Sequence, residues 1–90
     1  MLDENSEMIP EEIAIQVRTF VHEELCNETG VPDFSLDDDI LTSGRVDSLG
    51  VMRLIEFLEQ QFAICIPMED VTVENFVSCE AIAACVHSRI

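Results

Sequence analysis

Residues 43–52, SGRVDSLGVM, place a serine hydroxyl directly before an apolar, helix-like run. A serine at such a point can cap the helix, act as a nucleophile, or serve as the attachment point for another chemical group. Each role needs different neighbours, so the surrounding sequence has to decide between them. The residues to test are Asp47 and Ser48, because both carry side-chain oxygen atoms at the predicted start of the helix.

A catalytic serine requires a base that removes its proton, and many serine hydrolases present the nucleophile in a G-x-S-x-G elbow. The sequence contains no such elbow, and its two histidines, His22 and His87, are distant from Ser48 along the chain. A chain of 90 residues is also too short to form a deep substrate cleft easily. We therefore predict no catalytic residue and no enzyme activity of the chain's own.

The acidic run at residues 37–39 invites a calcium-binding interpretation, since carboxylates in a loop before a helix resemble an EF-hand. An EF-hand loop that started at Asp37 would have Thr42 at its glycine position and Ser48 at its final glutamate position. Neither residue suits its position, so we predict no metal site.

Helix capping is the simplest role for this motif. An aspartate before an apolar periodic run is a preferred N-cap, because its carboxylate accepts hydrogen bonds from the first free N–H groups. If Asp47 is the cap, Ser48 lies in the first turn with its hydroxyl close to the positive end of the helix dipole. That end favours anions such as phosphate, so an attached phosphodiester would be well placed there.

The remaining sequence predicts the helices that position this motif. A first helix should begin at Pro10 and end near residues 27–30, and a second should run from Ser48 to about Gln61. Residues 68–77 predict one short irregular helix, and Ser78 is the expected N-cap of the last helix. The apolar residues at helical spacing are Ile13, Val17, Phe20, Val21 and Leu25 in the first helix, and Leu54, Leu58 and Phe62, with Leu49 and Ile55 beside them, in the second.

These elements predict an all-α fold: a small four-helix bundle with three longer helices, one short helix and a long loop between the first two helices. The loop, residues 29–46, should be ordered, because Val31, Phe34, Leu36, Ile40 and Leu41 can attach it to the core. We assign residues 1–9 to a flexible acidic tail and residues 10–90 to the folded domain.

The charge of the chain limits its partners. Nineteen acidic residues against four arginines give a net charge of −15, which disfavours nucleic acid and anionic membranes and attracts basic surfaces. No apolar run is long enough to cross a bilayer, and the N-terminus lacks a secretory signal pattern. We expect a cytoplasmic monomer whose four cysteines are small buried apolar residues: Cys26, Cys65, Cys79 and Cys85.

Residues 10–90 resemble the acyl carrier and peptidyl (aminoacyl) carrier protein family. The resemblance centres on the segment LDDDILTSGRVDSLGVMRLIEFLEQQFAICIP. Asp47-Ser48-Leu49 is similar to the Asp-Ser-Leu motif of that family, and FAICIP is similar to its exit from the second helix. The preceding LTSG is similar to the loop of discrete carriers.

The resemblance implies that Ser48 carries 4'-phosphopantetheine, with Asp47 and Leu49 completing the attachment motif. A phosphopantetheinyl transferase, with magnesium and coenzyme A, would attach this arm. The arm's thiol would then hold an acyl or aminoacyl group as a thioester. The implied partners are an adenylating or acyl-loading enzyme and a downstream synthase, transferase or thioesterase, and the chain itself would be non-catalytic.

The resemblance also implies that partners contact the start and exposed face of the second helix. The residues that map there are Leu49, Met52, Arg53, Glu56 and Glu59, and Arg45 lies just before the motif. Met52 could equally belong to the core, and the two glutamates could be ordinary solvated residues. Both arginines differ from the acidic pattern of fatty-acid carriers, so they are candidates for partner choice. An alternative function is an unmodified acidic interaction or regulatory module with a carrier-like fold.

Overall fold

The structure, a computed structural model, describes residues 9–90, which contain four α-helices. They are α1 (Pro10–Phe20), α2 (Ser48–Phe62), α3 (Val73–Phe76) and α4 (Cys79–His87). A π-helical turn, Val21–Leu25, continues α1, and a 3-10 turn, Met68–Asp70, precedes α3. No β-strand occurs within residues 9–90. The predicted all-α four-helix fold, with three longer helices and one short helix, is confirmed.

The first helix begins where the sequence predicts. Pro10 occupies its first position, where a missing N–H group costs nothing, and the Glu12 carboxylate accepts a hydrogen bond from the Ile9 N–H group at 3.3 Å. Ile9 is thus the N-cap of α1, while the rest of the predicted acidic tail lies outside the described residues. Helical structure continues to Leu25, and the chain then turns at Asn27, whose φ is +56°. The buried apolar stripe of this segment includes Ile13, Val17 and Val21.

The second helix supplies the centre of the core. Leu54, Leu58 and Phe62 are almost fully buried, as their spacing of four residues predicts. The helix ends at Phe62 because Ala63 adopts the left-handed conformation, with φ of +54°, and its N–H group donates to the Glu59 carbonyl. The end thus lies one residue beyond the predicted Gln61.

The prediction of one short irregular helix over residues 68–77 is wrong. Two separate turns form instead, because Thr72 is extended, with φ of −122° and ψ of 163°. Its side-chain oxygen caps α3 by accepting a hydrogen bond from the Asn75 N–H group at 3.3 Å. Ser78 caps α4 in the same way, through the Ala81 N–H group at 3.1 Å, which confirms that prediction.

The long loop between α1 and α2 is attached to the start of α4. The Ile40 N–H group donates to the Val77 carbonyl at 2.8 Å, and the Glu80 N–H group donates to the Leu36 carbonyl at 3.0 Å. Phe34 and Ile40 are buried in the core, as predicted. Val31 is not, since 88% of its surface is exposed, so the predicted anchoring of the loop at that residue is wrong.

The cysteines occupy four different environments, which corrects the prediction that all are buried. Cys79 lies in the core, Cys26 and Cys85 are half-buried, and Cys65 is exposed; all four are free thiols. Burial raises the pKa of the Cys79 thiol to about 12. Within residues 9–90, no helix combines the length and apolar character that a membrane crossing requires.

Candidate functional site

The start of α2 is built by Asp47. Its backbone is extended, with φ of −96° and ψ of −175°, and its Oδ1 atom accepts a hydrogen bond from the Gly50 N–H group at 2.8 Å. The Asp47 carbonyl accepts the first helical hydrogen bond, from the Val51 N–H group at 2.9 Å. Asp47 is therefore the N-cap of α2, as predicted, and Ser48 is its first helical residue.

Ser48 is exposed, and within residues 9–90 its hydroxyl forms no hydrogen bond. It lies in the first turn, where backbone N–H groups lack intrahelical acceptors and the helix dipole is positive. The hydroxyl is therefore accessible from solvent, and a phosphate attached to it would be stabilised by these groups. The capping carboxylate and the exposed hydroxyl belong to two neighbouring residues, Asp47 and Ser48.

An open groove of about 510 Å³ lies beside Ser48. Its walls are largely apolar, and Met52 on its rim is 54% exposed, so the alternative of a core position for Met52 is wrong. This groove could hold an extended apolar group that is attached at the serine. The residues that line it are Leu41, Gly44, Val46, Asp47, Ser48, Val51 and Met52.

A second, more polar depression of about 210 Å³ lies at the start of the same helix and shares Gly44, Val46 and Asp47 with the groove. Leu49 lines it and is 70% exposed, which corrects its expected place in the apolar stripe. At about 100° per residue, Leu49 is rotated by about 140° from Leu54, so it points away from the core. The two arginines that lie near the motif, Arg45 and Arg53, also line this depression.

The two arginines have different surroundings. The Arg45 Nη1 atom lies 3.4 Å from the Asp33 carboxylate, and its guanidinium stands 4.4 Å above the centre of the Phe34 ring. Arg53 is exposed and donates one long hydrogen bond, of 3.5 Å, to the Glu24 carbonyl. Arg45 is thus fixed within the protein, whereas Arg53 is available to solvent.

The two predicted recognition glutamates also differ. Glu56 is exposed, but Glu59 is half-buried and its carboxylate accepts a hydrogen bond from the Ile66 N–H group at 2.9 Å. Glu59 therefore helps to close the turn after α2. A role for either glutamate in partner recognition stays a prediction.

The acidic run in the loop has a local structural role. The Asp39 carboxylate accepts hydrogen bonds from the N–H groups of Leu41 and Thr42 at 2.9 and 2.8 Å, and from the Thr42 hydroxyl. These contacts, first of all the one with the hydroxyl, lower the pKa of the Asp39 carboxyl group. Among the described residues, no group of three or more histidine, cysteine, aspartate or glutamate side chains could hold a metal ion.

Asp33 and Phe34, which hold Arg45, were not among the predicted site residues. They precede Ser48 by more than ten positions in a loop without secondary structure. Neither spacing nor periodicity connects them to the motif, and only the folded loop brings them to Arg45. The hydrophobic residues Phe34 and Leu41 were predicted to attach the loop, which both do, but not to contribute to the site.

Comparison with known families decides the identity of the domain. The family model described as the phosphopantetheine attachment site matches residues 19–86 of the chain. The chain belongs to this family. The match extends from the second half of α1 nearly to the end of α4 and includes the Asp47-Ser48-Leu49 motif. No protein among the curated sequences matches the chain.

Membership confirms the resemblance to carrier proteins. Domains of this family carry 4'-phosphopantetheine covalently on a serine, so the chain has a phosphopantetheine carrier role and 4'-phosphopantetheine is its cofactor. Such domains are generally non-catalytic and are acted on by modifying and partner enzymes. The free hydroxyl at the start of α2, between an apolar groove and a polar depression, fits an attached arm of this kind.

Proposed function

We propose that Ser48 is the serine that carries 4'-phosphopantetheine, and that the chain presents acyl or aminoacyl thioesters on this arm to the enzymes of a biosynthetic pathway. The observation that carries the proposal is the exposed, unbonded Ser48 hydroxyl at the capped start of α2. When bound, the arm supplies a terminal thiol, which forms the thioester. The protein's own residues provide the attachment point and the surface that partners contact.

The other serines of the matched segment suit attachment less well. Ser78 is 8% exposed and its hydroxyl caps α4. The Ser43 hydroxyl accepts a hydrogen bond from the Arg45 N–H group, at 3.5 Å, within a loop. The Ser35 N–H group donates to the Asp38 carboxylate at 2.7 Å, so a phosphate on Ser35 would lie among like charges. Only at Ser48, among these four, does a free hydroxyl coincide with a helix N-terminus.

Attachment requires a phosphopantetheinyl transferase with coenzyme A and magnesium. Within the protein, the N–H groups at the start of α2 would stabilise the phosphodiester, and the apolar groove beside Ser48 would receive the arm. Asp47 keeps the helix start in place while Leu49 and Met52 offer exposed apolar contacts to a partner. The net charge of −15 supports fast, brief encounters with basic partner surfaces. The partners we propose are the transferase, an adenylating or acyl-loading enzyme, and a downstream synthase, transferase or thioesterase.

The test is modification of the purified chain by a broad-specificity phosphopantetheinyl transferase with coenzyme A and magnesium. Intact mass should rise by one phosphopantetheine, and peptide mapping should locate the added mass on Ser48. Ser48→Ala should gain no mass, whereas the matched control Ser43→Ala should be modified like the wild type. Modification of Ser48→Ala at another residue would refute the site. Failure of wild-type modification by several transferases, together with a stable complex with a partner, would favour the unmodified interaction module.

A further inference from the structure

Arg45 connects three parts of the chain that are far apart in sequence. Its guanidinium contacts the Asp33 carboxylate at 3.4 Å and the Phe34 ring at 4.4 Å, both in the first half of the loop. Its backbone carbonyl accepts a hydrogen bond from the Cys26 thiol, at 3.9 Å, just after the helical segment 10–25. The Arg45 side chain is only 29% exposed. The residue therefore fixes the chain shortly before it enters α2.

The residues that follow Arg45 extend this fixed segment to Ser48. Val46 is buried and its N–H group donates to the Ile40 carbonyl at 2.8 Å. Its Cγ1 atom lies so close to α2 that a Cβ atom on Gly50 would be only 3.0 Å away. Asp47 then caps the helix. Each residue from Arg45 to Asp47 thus has a contact that restricts the position of the Ser48 backbone.

We propose that Arg45 is a positioning residue for group transfer onto Ser48, and that it does not act as a partner contact. The inference rests on the proposed function. In the transfer, the Ser48 oxygen bonds to the phosphorus that bears pantetheine, the bond from that phosphorus to the bridging pyrophosphate oxygen of coenzyme A breaks, and adenosine 3',5'-bisphosphate leaves. The hydroxyl proton passes to a base of the transferase. A misplacement of about 1 Å in such a step can lower the rate about 100-fold.

Arg53 provides a matched control for this proposal. It lines the same depression as Arg45, but it is exposed, and within residues 9–90 its side chain donates a single hydrogen bond, to the Glu24 carbonyl. Arg45→Gln and Arg53→Gln remove the same charge near the same helix start. Asp33→Asn changes the charge in the opposite direction, yet it breaks the same ion pair as Arg45→Gln. The three variants together separate positioning from electrostatic attraction.

The experiment measures kcat and KM of a broad-specificity phosphopantetheinyl transferase for each apo variant, with amide hydrogen exchange at Val46 and Gly50, whose N–H groups donate to the Ile40 carbonyl and the Asp47 carboxylate. We expect Arg45→Gln and Asp33→Asn each to lower kcat by about fivefold or more and to speed exchange of both amides. Arg53→Gln, at an exposed position where a partner contact is expected, should change KM if it changes anything, and should keep kcat within about twofold of the wild type. Arg45→Lys should recover part of the loss, because a lysine keeps the charge opposite Asp33 but cannot stack on Phe34 as a planar group.

Several results would overturn the proposal. A rise in KM alone for Arg45→Gln would mean a partner contact, and opposite effects of Arg45→Gln and Asp33→Asn would mean long-range electrostatics. Unchanged kcat and exchange in both variants would mean that Arg45 has no positioning role. If Arg45→Gln unfolds at the assay temperature, Asp33→Asn, which leaves the stacked guanidinium in place, supplies the same comparison. Amide exchange of the apo protein reports how Arg45 holds the backbone before Ser48 whether or not the chain is modified. A wild type that gains no mass would therefore refute the proposed function, whereas unchanged exchange in Arg45→Gln and Asp33→Asn would refute the positioning role.

Discussion

Replacing Asp47 with alanine removes the acceptor for the Gly50 N–H group, which donates to Oδ1 at 2.8 Å. Loss of such a cap costs between about 0.5 and 2 kcal/mol. Gly50 is buried, so its N–H group cannot easily find water as a substitute, and this favours the upper half of the range. We expect the free energy of unfolding to fall by about 1.5 kcal/mol. For a domain of this size, that corresponds to a loss of about 6–12 °C in Tm.

Two variants make this prediction specific. Asp47→Asn keeps a side-chain oxygen that can accept the same hydrogen bond and loses only the favourable charge near the helix dipole, so it should cost about 0.3–1 kcal/mol. Ser48→Ala should change stability by no more than about 0.5 kcal/mol, because the hydroxyl is exposed and forms no hydrogen bond within the described residues. The expected order of stability is wild type and Ser48→Ala, then Asp47→Asn, then Asp47→Ala.

The assay is urea unfolding at 25 °C, monitored by far-ultraviolet circular dichroism. The slope m, with which the free energy of unfolding falls with urea concentration, is compared between variants. Equal m values show that the midpoints report stability alone. If Ser48→Ala were as destabilising as Asp47→Ala, the cap would belong to Ser48, and the division of roles between these neighbours would be refuted. An Asp47→Ala protein as stable as the wild type would show that the Gly50 hydrogen bond contributes nothing.

Two further predictions concern the end of α2 and the loop. Ala63 adopts the left-handed conformation, with φ of +54°, which costs a non-glycine residue about 1 kcal/mol. Ala63→Gly should therefore raise the urea midpoint by the equivalent of about 0.5–1 kcal/mol. A lower midpoint would contradict this prediction. The pKa of the Asp39 carboxyl group is lowered chiefly by the Thr42 hydroxyl, so its contribution to stability is present above its unfolded pKa and is lost as pH falls through the lowered value. The wild type should therefore be more stable than Asp39→Asn at neutral pH but not in strong acid, and acid unfolding monitored by circular dichroism measures this difference. A stability difference that does not depend on pH would refute the stabilising role of the Asp39 carboxylate.

The sequence by itself determined the three longer helices and the caps of two of them. Asp47 and Ser78 cap α2 and α4 as predicted, because a short polar side chain before an apolar run satisfies N–H groups only a few residues away. Most of the core face of the second helix was equally predictable from spacing, as the buried positions of Leu54 and Leu58 show. Such features depend on contacts within one or two helical turns, so local sequence is sufficient to specify them.

Only the tertiary structure decided what surrounds the serine. The exposed positions of Leu49 and Met52, and the attachment of Arg45 to Asp33, depend on where the long loop packs against the bundle. The split of the predicted third helix likewise follows from the extended conformation of Thr72. These contacts join residues that are distant in sequence or depend on backbone turns between elements, and no local periodicity encodes them. The capped helix start with Asp47 and Ser48 was thus predictable from local sequence, whereas the contacts that hold it required the whole fold.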